Sequence, residues 1–183
     1  MFVDLSLKRA LDLAAVWHHG QRRKYPGIEV PYLSHPAGVA LILGRHGFDP
    51  AVIVAGVLHD VVEDTDATLD DLRREFGDEV AVLVQHVSEP DKSLSWEERK
   101  RRYLEHFGQK PWRAQAITLA DKIDNFQSIL VCARHHGDPW PLFKRGRDAQ
   151  IGRFEALRAA TAGLAPHALI DEYGDTLDQV IAL

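Results

Sequence analysis

Apolar residues recur at helical spacing along almost the whole chain, and no segment shows the strict alternation of a β-strand. That periodicity is the strongest constraint on the fold. Helices carrying such stripes can bury them only against one another. Leu7, Ala10, Leu11, Ala14 and Ala15 predict an amphipathic helix over roughly residues 4–20, ended by Gly20. The polar segment from Gln21 to Gly27 reads as a loop. Pro36 suits a first helical turn, so a second helix is expected from near His35 to Gly47. Asp49-Pro50 opens a third, running through the apolar stretch Ala51–Leu58 to about Val62. Thr68 with Asp71 resembles a capping box for a short helix ending at Gly77. Another covers Asp78 to Val87, closed by Pro90. Ser95 with Glu98 forms a second candidate box, opening a charged helix to Gly108. Pro111 begins a long helix carrying Ala116, Ile117, Leu119, Ala120, Ile123, Phe126 and Ile129. After a loop over 135–146, the last third is helical around 147–163 and 166–182. The expectation is an all-α fold: one compact helical bundle over residues 1–183, with about eight to ten helices.

Composition narrows the function classes. The chain has 183 residues, 45% of them hydrophobic, which suffices for one sizeable core and is short for two. A net charge of −5 argues against a strongly basic nucleic-acid binder. A single cysteine, Cys132, excludes an internal disulfide or a thiolate-rich metal site and fits a reducing compartment. Asp4, Lys8, Arg9 and Asp12 interrupt the N-terminal segment, unlike a signal peptide, and the most apolar run, Ala51–Leu58, is too short to span a bilayer. The expected setting is cytoplasmic, without membrane or nucleic-acid partners. Homo-oligomerisation stays open.

The segment VLHDVVEDT, residues 57–65, carries the densest chemistry. His59-Asp60 alone reads as a structural pair, each group needing a partner to offset desolvation. Glu63 and Asp64 change the weighing. Each lies four residues after one member of the pair, so a continued helix would crowd four ionisable groups at one end. A bound cation relieves that crowding and leaves a carboxylate as general acid or base. The competing account is a solvated helix end. His35, at a helix start in PYLSHP, and Asp121, on the apolar face of the long helix, complete a set of two histidines and two carboxylates. Nitrogen and oxygen donors without sulfur suit manganese, iron or zinc. Arg22-Arg23-Lys24 could neutralise phosphates or stack on a base, or be a solvated loop. Arg99-Lys100-Arg101-Arg102, flanked by Glu97, Glu98 and Glu105, reads as a solvated helix face. Asn125, four after Asp121, could reach a ligand or bond to backbone. His18-His19 and His135-His136 read as surface or partly buried residues.

The order GQRRK, PYLSHP, VLHDVVEDT, LADKIDN resembles the HD-domain metallohydrolases. More narrowly, it is similar to the hydrolase domain of RelA/SpoT alarmone enzymes and the small alarmone hydrolases of metazoan type. The resemblance covers residues 5–130 best, and nothing corresponds to a synthetase domain. It implies an all-α HD-domain bundle with one divalent ion, normally manganese (Mn2+). The implied reaction removes the 3′-pyrophosphate of ppGpp or pppGpp. It implies metal ligation by His35, His59, Asp60 and Asp121, and water positioning and activation by Glu63 and Asp64. Arg23 and Lys24 would flank the base, Asn125 would contact the ribose or phosphate region, and Tyr32 and Ser34 would line the pocket. Arg147 matches a substrate-side arginine.

Several positions depart from the family pattern. Asp124 stands where an aromatic or histidine is common, Gln127 where an arginine is, Trp96 where the metazoan type has lysine, and Ile151 in place of a tyrosine. These touch substrate preference more than the metal set. Two other functions therefore stand beside the first. One is an HD phosphohydrolase acting on another purine nucleotide, such as ppApp or a phosphorylated dinucleotide. The other is a non-catalytic nucleotide sensor or partner-binding helical domain.

Overall fold

The computed structural model describes residues 5–88 and 95–183, apart from the side chains of Trp96, Glu97, Arg99, Lys100 and Tyr103. The expectations placed on Asp4, Pro90, Trp96, Glu97 and the Arg99-Lys100 pair lie outside the described residues.

Ten α-helices follow one another among the described residues: α1 (Ser6–Trp17), α2 (Ser34–Arg45), α3 (Pro50–Leu58), α4 (Val61–Asp64), α5 (Leu69–Phe76), α6 (Asp78–Val87), α7 (Trp96–Phe107), α8 (Trp112–His135), α9 (Gly146–Thr161) and α10 (Ala168–Ile181). A 3-10 turn, Trp140–Leu142, interrupts the loop before α9. The all-α expectation holds. The nearest approach to a sheet among the described residues is one isolated antiparallel bridge, Arg22 to Pro31, which closes the loop after α1.

The helix α8 is the axis of the bundle, with α2, α3, α6 and α10 packed on it. Its 24 residues bury far more than one stripe, from Ala114 through Ala120 and on to Ile123, Phe126 and Ile129. Such a helix needs neighbours on several sides. The short helix α3 is almost as fully covered, burying Val52, Val54, Ala55, Gly56, Val57 and Leu58. It lies close against α2 because position 56 is glycine. A Cβ there would stand 2.5 Å from Leu43 Cδ1 and 3.3 Å from Val39 Cγ1. Asp49 caps α3 by accepting from the Val52 N–H at 3.2 Å. Both sequence-predicted cap residues also act as such. The Thr68 side chain accepts from the Asp71 N–H while Asp71 takes the Thr68 N–H, and Ser95 accepts from the Glu98 N–H.

One boundary differs in a way that matters. The third helix was expected to continue to about Val62, but it stops at Leu58, and His59 and Asp60 form a turn before α4. The His59 Nδ1–H donates to the Gly56 carbonyl at 2.8 Å, the group that an uninterrupted helix would offer to the Asp60 N–H. Asp60 sits at φ −100°, ψ −9°. The two acids of α4 are therefore placed by a bend and not by straight i,i+4 stacking on His59 and Asp60. Among the described residues, no helix is long and apolar enough to cross a membrane.

Candidate metal centre and adjoining groove

Three elements deliver the candidate ligands: the first turn of α2 brings His35, the turn after α3 brings His59 and Asp60, and the middle of α8 brings Asp121. Ligand atoms of His35, His59 and Asp121 lie within 4.8 Å of one another. His35 Nε2 is 3.3 Å from Asp121 Oδ1 and 3.6 Å from Asp60 Oδ2. His59 Nε2 is 3.0 Å from Asp60 Oδ2 and 4.0 Å from Asp121 Oδ1. Tyr32 donates its hydroxyl to Asp60 Oδ2 at 2.5 Å. Lys122 Nζ and Asn125 Nδ2 each donate to Asp121, both at 2.5 Å.

Both imidazoles are buried and both are oriented from behind. His35 donates through Nδ1–H to Asp124 Oδ2 at 2.6 Å, as His59 does to the Gly56 carbonyl. Each ring thus turns Nε2 inward. His59 Nε2 is buried without a hydrogen-bond partner, although Asp60 Oδ2 lies 3.0 Å away. An orphaned buried nitrogen costs about 1–3 kcal/mol. Two inward nitrogens beside carboxylate oxygens, one nitrogen unsatisfied, fit a divalent cation in donor type and in geometry.

The electrostatics agree. Burial pushes His35 down, yet the carboxylates of Asp121, Asp124 and Asp60 around its ring carry it up to about 10. His59 is also raised, against burial, chiefly by the Asp60 charge. Asp60 is held well below the usual carboxylate range, against burial, by the His59 charge and its His35 contact. Asp121 is held low as well, against burial, by the Lys122 charge and His35. Burial and the Asp60 charge push the Tyr32 hydroxyl up, so it remains a donor. The cluster gathers positive charge at the place a cation would supply it.

Around this cluster lies a cavity of about 220 Å³, lined further by Glu63, Asp64, Thr118, Lys122 and Arg153. A second cavity of about 330 Å³ holds Arg23, Lys24, Tyr25, Ile129, Leu142 and Phe143. The two share Tyr32, Asp64 and Asn125, so they form one groove with an acidic end and a basic, partly apolar end. Arg23 is no solvated loop cation: its side chain is 12% exposed and donates to Asn125 Oδ1 at 3.1 Å and Ser128 Oγ at 2.8 Å. Asp64 accepts from Gln21 Nε2 at 3.2 Å, and Gln21 in turn accepts from His18 Nδ1–H at 2.7 Å. His18, read as a surface or partly buried residue, is buried.

Two expected contacts are not brought to the groove. Ser34 begins α2, exposed, and lines neither cavity. Arg147 donates to the Ile181 carbonyl at 2.5 Å and lies over the Trp140 ring, tying α9 to α10. Arg153, six residues on along α9, lines the acidic cavity instead. Sequence reasoning also passed over Lys122 and Gln21, and it noted Asp124 only as a departure from the family pattern. Asp124 had a legible signal, since it is a second acid on the same apolar helix face that singled out Asp121.

The family described as HD domain matches residues 10–138, which hold every candidate ligand. The chain belongs to the HD domain family. Over 123 residues this HD-domain chain is 45% identical to guanosine-3′,5′-bis(diphosphate) 3′-pyrophosphohydrolase MESH1 of Drosophila melanogaster, a match covering 66% of the chain and 68% of that protein. It is 42% identical over 132 residues to a GTP pyrophosphokinase of Streptomyces coelicolor, covering 70% of the chain but only 15% of that much longer protein. A solved structure described as a metazoan ortholog of SpoT that hydrolyses ppGpp superposes with a TM-score of 0.84 at 34% identity, covering 100% of this chain and 99% of the other. The chain is a hydrolase of the HD family, and its His35–His59–Asp121 cluster suits a divalent metal.

Proposed function

We propose that this chain is a manganese-dependent 3′-pyrophosphohydrolase of ppGpp and pppGpp, with residues 1–183 acting as one domain in the cytoplasm. The observation that carries the reading is the groove itself. A cluster of two imidazoles and two carboxylates sits at one end, and Arg23 and Lys24 sit at the other. The likeness to MESH1 and to the metazoan SpoT ortholog supports the choice of substrate. The packing of α9 and α10 on each other, and of α10 on α8, supports a single domain.

In this reading His35, His59, Asp60 and Asp121 hold the ion. When bound, a divalent ion acidifies water and offsets phosphate charge. Glu63 and Asp64, on α4 beside the cluster, orient the attacking water and accept its proton. Gln21 steadies Asp64 from behind. Lys122 and Arg153 line the same cavity and offset the charge of the 3′-pyrophosphate. Arg23, Lys24 and Tyr25 receive the purine, and Asn125, at the junction of the two cavities, meets the ribose. Water oxygen bonds to phosphorus as the bond from phosphorus to the ribose 3′-oxygen breaks. The proton taken from the water returns to the 3′-oxygen, so pyrophosphate leaves and the ribose keeps its 3′-hydroxyl.

The test is incubation of the purified protein and Mn2+ with ppGpp, pppGpp and ppApp, measuring pyrophosphate against phosphate. Pyrophosphate from the two guanosine alarmones, faster than from ppApp, is the expected result. Preference for ppApp would replace the substrate while keeping the chemistry. No product from any of the three would overturn the alarmone reading of the substrate.

A further inference from the structure

Asp124 stands outside the ligand cluster yet is tied to it on two sides. Its Oδ2 accepts from His35 Nδ1–H at 2.6 Å, and Arg23 Nη2 lies 3.6 Å from the same oxygen. The carboxylate occupies space that exists only because residue 38 of α2 is glycine. A Cβ at Gly38 would stand 1.9 Å from Asp124 Oδ1. The missing side chain on α2 and the acid on α8 are thus complementary. Asp124 is buried, and a buried carboxylate is costly unless it is paired.

We propose that Asp124 is a positioning residue for the metal centre. It holds His35 in the tautomer and rotation that present Nε2 to the cation, and through Arg23 it ties the base-side loop to the same ring. This rests on the metal-site reading above. An imidazole whose Nδ1–H is committed to a carboxylate offers its one lone pair at Nε2 and is a more basic ligand for it. His59 has only the neutral Gly56 carbonyl behind it. The two ligand histidines are therefore supported unequally, and His35 is the one with a charged support that can be removed.

The experiment titrates the full-length, metal-free protein with Mn2+ alone, following the loss of the free-ion paramagnetic resonance signal. Asp124→Ala should weaken Mn2+ binding roughly 10–100-fold. Asp124→Asn keeps an acceptor for Nδ1–H and should recover much of that loss. Gly38→Ala, which drives the carboxylate from its place, should weaken binding in the same direction. Combined with Asp124→Ala it should add little, because both act on one contact. The visible ligand-field bands of the Co2+-loaded protein should shift in Asp124→Ala, a change that loss of helix packing alone would not produce in a folded protein. A folded Asp124→Ala protein that binds Mn2+ within twofold of the parent overturns the proposal. Should that variant fail to fold, unaltered binding in Gly38→Ala and Asp124→Asn overturns it equally. His35→Ala separates the two levels: if it still binds Mn2+ normally, the metal-site reading itself falls. If His35→Ala loses binding while Asp124→Ala keeps it, only the role of Asp124 falls.

Discussion

The two ends of the groove are built from different kinds of structure. The acidic end is set into helices: His35 in the first turn of α2, Asp121 midway along α8, His59 and Asp60 in the bend between α3 and α4. Its side chains are cross-braced, with Tyr32 on Asp60, Asp124 on His35 and Asn125 on Asp121. The basic end is mostly loop, Gln21 to Tyr25 on one side and Pro139 to Phe143 on the other. There one arginine, Arg23, is anchored to α8 while Arg22 and Lys24 are exposed. A cation demands fixed donors at fixed distances, so its site belongs on rigid elements. A purine face tolerates small displacements, so loops can serve it.

That contrast orders the expected effects of mutation. Asp60→Ala removes an oxygen donor and the acceptor of Tyr32, and should abolish both metal binding and turnover. Calorimetric metal titration beside an activity assay checks this, and undiminished hydrolysis would remove Asp60 from the site. Glu63→Gln should leave metal affinity unchanged while kcat falls about 10²–10⁴-fold, the usual worth of a positioned base. Full activity in that variant would leave the proton to another group. At the basic end, Arg23→Ala should act mainly on KM, raising it roughly tenfold, the scale of one cation–π or charge-assisted contact. A large drop in kcat instead would show that the two ends are not separable.

The smallest effect belongs to neither end. Thr68→Ala breaks the capping box of α5 and should cost about 1 kcal/mol of stability, roughly 2–4 °C in Tm, with kcat unchanged. The acid limb adds a sign. The Thr68 and Arg74 side chains hold the Asp71 carboxyl down at about 2, against an ordinary value of 3.8. A depressed carboxylate contributes stability above pH 3.8 that is lost as pH falls through about 2. The Tm gap between parent and variant should therefore narrow over that interval. A gap that widens on acidification would contradict the box.

Much of this was legible in the chain because it is local. Capping residues, helix spans and the all-α class follow from spacing and from side chains that bond to backbone three residues away. Asp121 was legible because an acid on an apolar helical face is costly unless something holds it. The bend after Leu58 was not, since the apolar run gives no sign that the His59 ring will take the Gly56 carbonyl. Arg147 and Arg153 were not distinguishable either. Both lie on α9, and which one faces the cavity depends on how that helix is rotated against α7 and α10.

By itself, then, the sequence determined most helix spans, the caps of α3, α5 and α7 and the identity of the groups able to bind a cation, because each is settled by residue type and short-range spacing. Only the tertiary structure decided which of those groups meet. Residues 35, 59 and 121 come together because Gly56 lets α2 and α3 close on each other and both pack against α8. Gly38 and Asp124 show the same thing at one contact: neither residue carries meaning alone, and the space one leaves is what admits the other.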